Sequence, residues 1–301
     1  MAPPNLVNVM VKEKYHISFS GGRTSAYMTK LLLDSWSDRY EFIVTFANTG
    51  LEHPKTLEFI NNCDKVFGFN TVWLEAVVQH DKRLAPTHKI VTFDTAARKG
   101  EPFEEVIKKY GIPNQKFPGC TRDLKLSPIK SYLKSLGIDE HKIRTAIGIR
   151  TDETRRVNPK VAEARTLEYP LINVWPSDKQ DVLDWWEDQS FALGIDEFEG
   201  NCLGCWKKSL KKHFMQIERD PSVYDFHKRM EAEHEFTGPQ EGHRHFFRGD
   251  MSTIQLFKAY DEQGKQSRRM IEHPSENSGC SESCELFETM VDDAVLPDWL
   301  K

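Results

Sequence analysis

The first half of the chain alternates short apolar runs with amphipathic stretches, and this pattern constrains the fold more than any other feature. Four apolar runs predict strands, at residues 15–19, 42–46, 71–77 and 142–149. Three amphipathic stretches predict helices, at residues 25–35, 53–66 and 127–136. This alternation predicts an α/β fold with a parallel sheet and helices on both faces. The ligand site of such a sheet lies beyond the carboxyl ends of the strands.

The strand pattern fades after about residue 175. Helical patterns follow, at residues 178–191, 206–217, 221–234 and 253–260. From residue 263 onward Ser, Gly, Glu and Pro dominate, which is typical of a flexible tail. The sequence therefore predicts three regions: a nucleotide-binding α/β domain at 1–175, a helical region at 176–262 and an acidic tail at 263–301.

Composition excludes several classes of protein. With 39% hydrophobic and 29% charged residues, the 301-residue chain is typical of a globular protein. No run of 18 apolar residues is present, so we expect no membrane-spanning helix. Residues 1–14 lack the apolar core of a secretory signal, and we therefore expect a cytoplasmic protein. The net charge of −5 argues against a protein that coats nucleic acids without regard to sequence.

The strongest local motif follows the first predicted strand. Its candidate ligand-binding residues are Ser18, Ser20, Gly21, Gly22, Arg23, Thr24 and Ser25. Two glycines let the backbone approach an anion closely, and hydroxyls with helix N-terminal N–H groups can then hold a phosphate. Arg23 can add a charged donor. The motif matches neither GxxxxGK[ST] nor GxGxxG. The alternative is an ordinary strand-to-helix turn.

Ser20-Gly-Gly-Arg-Thr-Ser25 resembles the pyrophosphate loop, SGGxxS, of the adenine nucleotide alpha-hydrolase superfamily, the PP-loop ATP pyrophosphatases. Three further segments resemble its phosphoadenylyl-sulfate reductase-like branch, at residues 46–57, 147–156 and 169–175. The resemblance implies a Rossmann-like fold. It also implies that ATP or another adenine nucleotide binds near the loop, with Mg²⁺ as a candidate accompanying ion. Beyond the loop, the implied nucleotide-binding residues are Asn48, Gly50, Gly148, Arg150, Glu153 and Arg156, with Arg23 and Arg150 in catalytic roles.

Cysteines form the second candidate site. Cys202-Leu-Gly-Cys205 is a C-x-x-C motif, and Cys120 lies in a separate Pro-Gly-Cys segment. Three thiolates suit a [4Fe–4S] cluster with one open iron, or a zinc site with a fourth ligand from elsewhere. A redox pair and buried structural cysteines are the alternatives. In the family that this chain resembles, cysteines at these two places bind an iron–sulfur cluster. The resemblance also makes Cys284, in the tail, a candidate nucleophile.

Four lysines follow the C-x-x-C motif, at positions 207, 208, 211 and 212. If this segment is helical, the pairs 207/211 and 208/212 form a basic stripe that could attract RNA or DNA. An ordinary solvated helix face is the alternative. The late helices could also form a homodimer contact.

Three functions are compatible with these patterns. The first is an enzyme that uses an adenine nucleotide in sulfur chemistry. Its reaction is either ATP-dependent adenylation followed by sulfur transfer to a small molecule or nucleic-acid base, or reduction of an adenylyl sulfate. The second is a non-catalytic module that binds a nucleotide or nucleic acid. The third is a zinc-stabilised structural protein.

Overall fold

The computed structural model describes residues 12–81, 83–200, 202–238 and 242–271, with the backbone alone for 264–271. Cys280 and Cys284 lie outside the described residues, as does most of the predicted acidic tail. The predictions for these parts, and the exact borders of the three regions, stay predictions.

Six strands form one sheet in the described ranges, in the order β4-β3-β2-β1-β5-β6. The strands are β1 Glu13–Ser18, β2 Tyr40–Asn48, β3 Val72–Val77, β4 Thr87–Val91, β5 Arg144–Ile147 and β6 Leu167–Glu168. All neighbouring pairs except β3–β4 are parallel. The predicted Rossmann-like α/β fold is therefore confirmed, with one antiparallel strand that the sequence patterns did not predict.

Strand β4 runs antiparallel because its connection to β3 is short. β3 ends at Val77 and β4 begins at Thr87, which leaves nine residues between them. A parallel crossover needs a dozen or more residues and usually a helix. A chain that reverses within nine residues can pair with its predecessor only in the antiparallel direction.

Ten α-helices surround the sheet in the described part of the chain. They are α1 Arg23–Trp36, α2 Pro54–Phe67, α3 Glu101–Tyr110, α4 Ser127–Ser135, α5 Pro159–Ala164, α6 Pro170–Asn173, α7 Lys179–Glu187, α8 Leu210–Arg219, α9 Asp225–His234 and α10 Thr253–Ile271. Shorter helical turns are a π-helical turn at Arg122–Leu126 and 3₁₀ turns at Thr151–Arg156 and Pro221–Tyr224. No helix within the described ranges is both long and apolar enough to span a membrane.

Both faces of the sheet are covered, as predicted. Val44 and Phe46 of β2 pack into one apolar cluster together with residues of α1, α2 and α7. Ile43 and Ala47 point the other way and pack into a second cluster with residues of α4. Successive side chains of a strand alternate between faces, so one strand contributes to both cores.

The C-terminal region is helical, as predicted, but the predicted lysine stripe is wrong. Helix α8 begins at Leu210 because the Ser209 side chain caps it by accepting a hydrogen bond from the Lys212 N–H. Lys207 and Lys208 therefore precede the helix. Lys208 is also buried and donates to the Gln216 side chain at 3.3 Å.

Candidate functional site

The phosphate loop, residues 20–25, leaves the carboxyl end of β1 and enters α1. Gly21 adopts a positive φ of 83°, which glycine adopts without strain. The Ser20 hydroxyl lies 2.8 Å from the Ser25 hydroxyl, and Ser25 Oγ donates to the Gly22 carbonyl at 3.1 Å. Ser18, the last residue of β1, is buried beneath the loop. The loop is thus a closed turn with two hydroxyls near the N-terminus of a helix.

Gly148, immediately after β5, packs against this loop. A Cβ atom at this position would lie only 2.9 Å from Ser25 Cα and 3.2 Å from Ser25 N. Such contacts require the neighbouring backbone to shift. Gly148 therefore allows close packing between the end of β5 and the start of α1; its predicted role in nucleotide binding stays a prediction.

Arg150 joins the phosphate loop to the turn after β5. Its Nη1 donates to Thr24 Oγ1 at 3.0 Å, and its Nε and Nη2 both donate to the Asp152 carboxylate at 2.9 Å. These hydrogen bonds lower the pKa of Asp152. Asp152 therefore orients the guanidinium of Arg150.

Glu153 and Arg156 form a second charged pair beside Arg150. Arg156 Nη1 donates to Glu153 Oε1 at 2.7 Å, and Glu153 Oε2 lies 3.6 Å from Arg150 Nη1. All three side chains are largely buried. The structure thus brings the predicted arginines together around one carboxylate at the carboxyl edge of the sheet, next to the phosphate loop.

Asn48 and Gly50 lie at the carboxyl end of β2. The Asn48 amide donates to Glu75 Oε1 at 2.7 Å and to the Ala97 carbonyl at 2.9 Å. Its Oδ1 accepts from the Gly50 N–H at 3.2 Å. Asn48 is therefore held by protein groups and fixes the turn that follows β2.

Arg23, at the start of α1, connects the loop to the segment after α7. Its Nη2 donates to the Ile195 carbonyl at 3.5 Å, and its own carbonyl accepts from Trp186 Nε1 at 3.0 Å. The segment near Ile195 therefore lies over the loop. A narrow phosphate cleft results, lined by Ser20, Gly21, Glu52, Thr56, Lys125, Leu193, Ile195 and Gly200.

All three predicted metal-ligating cysteines line one apolar cavity, here called the cysteine cavity. Two chain segments far apart in sequence supply them: Cys120 precedes the π-helical turn, and Cys202 and Cys205 precede α8. The charged side chains that line the cavity are Lys125 and Lys207. Lys125 also lines the phosphate cleft, so this lysine lies between the two sites.

Cys202 is tied to the turn after β2. Its Sγ lies 3.3 Å from the Thr49 hydroxyl and 3.8 Å from Glu52 Oε1. Burial raises the pKa of the Cys202 thiol well above its usual range; Glu52 raises it further, whereas Lys125 lowers it. Burial of Cys202 therefore favours its protonated form.

The cysteines match a soft metal in donor type, because sulfur ligands from two segments face one apolar cavity. Nevertheless, across the described ranges, no three His, Cys, Asp or Glu side chains converge closely enough to hold a metal ion as they stand. The three sulfurs therefore share a cavity without forming a preassembled site. Cys63, by contrast, is fully buried in the core on α2, as expected.

Sequence reasoning missed Glu52 and Lys125. Glu52 is within the Asn-Thr-Gly-Leu-Glu segment that resembles the family, and Lys125 is five residues after Cys120. Both signals were available in the sequence. Only the tertiary structure shows that these two residues border both the phosphate cleft and the cysteine cavity.

Comparison with known proteins identifies related chains. Residues 14–189 match the family described as the phosphoadenosine phosphosulfate reductase domain. The uncharacterized nin region protein ORF290 of Escherichia phage lambda is 32% identical over 288 residues, covering 92% of this chain and 96% of the phage protein. The uncharacterized protein MJ0973 of Methanocaldococcus jannaschii is 31% identical over 174 residues, covering 56% of this chain and 32% of the archaeal protein. The chain thus matches nearly the whole phage relative but about a third of the archaeal one.

The family match spans the sheet, the phosphate loop and the Arg150 turn, and it ends just after α7. It covers more than half of the chain, and it agrees with the observed order of strands and helices. The C-x-x-C motif and helices α8, α9 and α10 lie beyond it. The chain therefore belongs to the phosphoadenosine phosphosulfate reductase domain family, whose members are generally enzymes of adenine nucleotide and sulfur chemistry.

Proposed function

We propose that this chain is an enzyme that binds an adenine nucleotide in the phosphate cleft and carries out sulfur chemistry at the cysteine cavity. The observation that carries the proposal is the position of Lys125, which lines both places. A cation there can neutralise phosphate charge on one side and stabilise a thiolate or another sulfur anion on the other.

The phosphate loop would supply most of the nucleotide binding. Hydroxyls of Ser20 and Ser25, together with N–H groups at the start of α1, suit phosphate oxygens. Arg150 would act from the side as a charged donor, with Asp152 holding its orientation. Asn48 and Gly148 would shape the site without touching the phosphates.

We infer ATP-dependent adenylation with sulfur transfer as the reaction. A substrate carbonyl oxygen attacks the α-phosphorus of ATP, and pyrophosphate leaves. A sulfide then attacks the activated carbon, the C–O bond breaks with departure of AMP, and a thiocarbonyl forms with loss of a proton. The loop N–H groups and Arg150 would stabilise charge that develops on the α-phosphate. Arg23 would anchor the covering segment, because its Nη2 donates to the Ile195 carbonyl.

In this proposal Cys120, Cys202 and Cys205 hold a [4Fe–4S] cluster. Such a cluster with three protein ligands supplies an open iron that can bind sulfur. Lys125 and Lys207 would offset the negative charge of the thiolates and sulfides. Zinc is the alternative metal, with a structural role. Magnesium would enter with the nucleotide, because Glu153 is already paired with Arg156.

Reduction of an adenylyl sulfate is the second candidate, which the family match favours. In that reaction a cysteine thiolate attacks the sulfur of adenylyl sulfate, the nucleotide leaves, and a second thiol releases sulfite by forming a disulfide. Cys284, the proposed nucleophile, lies outside the described residues. The two reactions consume different nucleotides and release different products.

Calorimetric titration of the full chain with ATP and with adenylyl sulfate tests the proposal. Lys125→Gln should weaken binding of the preferred nucleotide about tenfold, because one charged contact to phosphate is lost. Lys130→Gln is the matched control. Lys130 is on α4, where it pairs with Glu140, and it lies away from the cleft. AMP and pyrophosphate as products would support sulfur transfer, and sulfite would support reduction. Failure to bind either nucleotide would contradict the proposal.

A further inference from the structure

The turn after β2 contacts both candidate sites through a few residues. It runs from Thr49 to Glu52, between β2 and α2. On one side the Glu52 side chain lines the phosphate cleft together with Ser20 and Gly21. On the other side the turn contacts the C-x-x-C segment through its backbone and the Thr49 hydroxyl.

Glu52 fixes this turn from within the cleft. Its Oε2 accepts from the Thr49 N–H at 3.0 Å, and its Oε1 accepts from the Thr49 hydroxyl at 2.8 Å. The residue is only 8% exposed. A carboxylate held at this depth by two hydrogen bonds cannot move without moving Thr49, because the broken hydrogen bonds would leave buried polar groups without partners.

The same turn holds the C-x-x-C segment. The Leu203 N–H donates to the Leu51 carbonyl at 2.7 Å, and Glu52 and Cys202 form an antiparallel bridge. The Thr49 hydroxyl lies 3.3 Å from Cys202 Sγ. A displacement of the Thr49 hydroxyl or of the turn backbone is therefore passed directly to Cys202.

We propose that Glu52 and Thr49 are positioning residues that couple occupancy of the phosphate cleft to the position of Cys202. The idea rests on the proposed function, since it requires a nucleotide in the cleft. A phosphate that enters beside Glu52 brings like charge to a buried carboxylate, and the repulsion is strong because water does not screen it well there. Glu52 shifts while it keeps its hydrogen bonds to Thr49, and Thr49 and Cys202 follow.

Hydrogen–deuterium exchange of the full chain, with and without ATP or adenylyl sulfate, tests this coupling. Bound nucleotide should slow exchange in peptides covering residues 20–25. It should also change exchange at least about threefold in peptides covering residues 202–208, which report on the Leu203 N–H. Both effects are measured without an activity assay, and the measurement does not depend on which metal the protein carries.

A second route could also carry the effect, because Leu193, Ile195 and Gly200 line the cleft and shortly precede the C-x-x-C segment in the chain. Variants distinguish that route from the Glu52–Thr49 coupling. Glu52→Ala and Thr49→Val should keep the nucleotide effect at residues 20–25 and lose it at 202–208. Thr49→Ser, which keeps the hydroxyl, should retain both effects. Glu58→Gln is the matched control, since Glu58 is exposed on α2.

The outcomes distinguish the two proposals. If no nucleotide slows exchange at residues 20–25 in the unchanged protein, the proposed function fails. If nucleotide slows exchange there but leaves 202–208 unchanged, the coupling is wrong. The coupling is also wrong if both Thr49→Val and Glu52→Ala retain the full effect at 202–208. Where Glu52→Ala does not fold, Glu52→Gln gives the same comparison, because it removes the charge and keeps one acceptor.

Discussion

The Arg150 guanidinium donates to the Thr24 hydroxyl at 3.0 Å while Asp152 holds its other edge with two hydrogen bonds. This arrangement joins β5 to the phosphate loop through a side chain whose orientation is fixed on both sides. A guanidinium fork can do this, whereas an ammonium group cannot donate along two edges at once.

Arg150→Lys should therefore weaken nucleotide binding about tenfold even though the charge is kept, because the paired hydrogen bonds to Asp152 are lost. Arg155→Lys is the control, since Arg155 is exposed on the same turn. Calorimetry on both variants measures the effect. Equal affinity of Arg150→Lys and the unchanged protein would show that the paired hydrogen bonds of the guanidinium to Asp152 do not contribute to binding.

Gly148→Ala should destabilise the loop region, because its Cβ would lie 2.9 Å from Ser25 Cα. Overpacking of this kind costs about 1–3 kcal/mol in free energy of unfolding. Nucleotide affinity should also fall, since the start of α1 must move. Urea denaturation measures the free energy of unfolding, and calorimetry measures the nucleotide affinity. A variant in which both are unchanged would contradict the close packing.

Stability should decrease as the pH falls below about 6.5, because three buried histidines become protonated on unfolding. Burial lowers the pKa of His16, His213 and His227 to about 3. The unfolded chain therefore binds more protons than the folded chain between pH 6.5 and 3. Each histidine should contribute a loss of about 1.4 kcal/mol per pH unit within that window.

Denaturation at pH 6.5, 6.0, 5.5 and 5.0 measures this slope before most carboxylates titrate. His16 lies between the Thr45 and Thr145 hydroxyls at 2.9 and 3.2 Å, so His16→Asn removes one titrating group from the sheet. The free energy of unfolding of the His16→Asn variant should depend less steeply on pH than that of the unchanged protein. His80→Asn should leave the slope unchanged, because the His80 side chain is 81% exposed.

The three cysteines of the cavity should be required together for metal binding. After anaerobic purification, we expect about four irons per chain and a brown colour, both lost in Cys120→Ala, Cys202→Ala and Cys205→Ala. Cys63→Ala is the matched control, because Cys63 is buried in the core on α2. A colourless protein that contains one zinc would contradict the cluster and would indicate a structural zinc site instead.

Sequence patterns predicted much of this fold. Apolar runs located four of the six described strands, since a strand buried on both faces needs continuous apolar residues. The Gly-Gly loop after β1 was visible because Gly21 must adopt a positive φ where the chain turns into α1. Helix α3 was not predicted, although Glu101 and Pro102 at its start are helix signals.

The sequence alone determined four of the six described strands and seven of the ten described helices in their order along the chain, the phosphate loop, and the three cysteines as candidates. These features depend on local backbone preference and on residue type, which can be read along the chain. The tertiary structure decided that Cys120 shares a cavity with Cys202 and Cys205, and that Lys125 and Glu52 lie between that cavity and the loop. Such contacts arise when the carboxyl ends of parallel strands and the later helices pack together. They depend on distances between residues far apart in sequence, which no local pattern encodes.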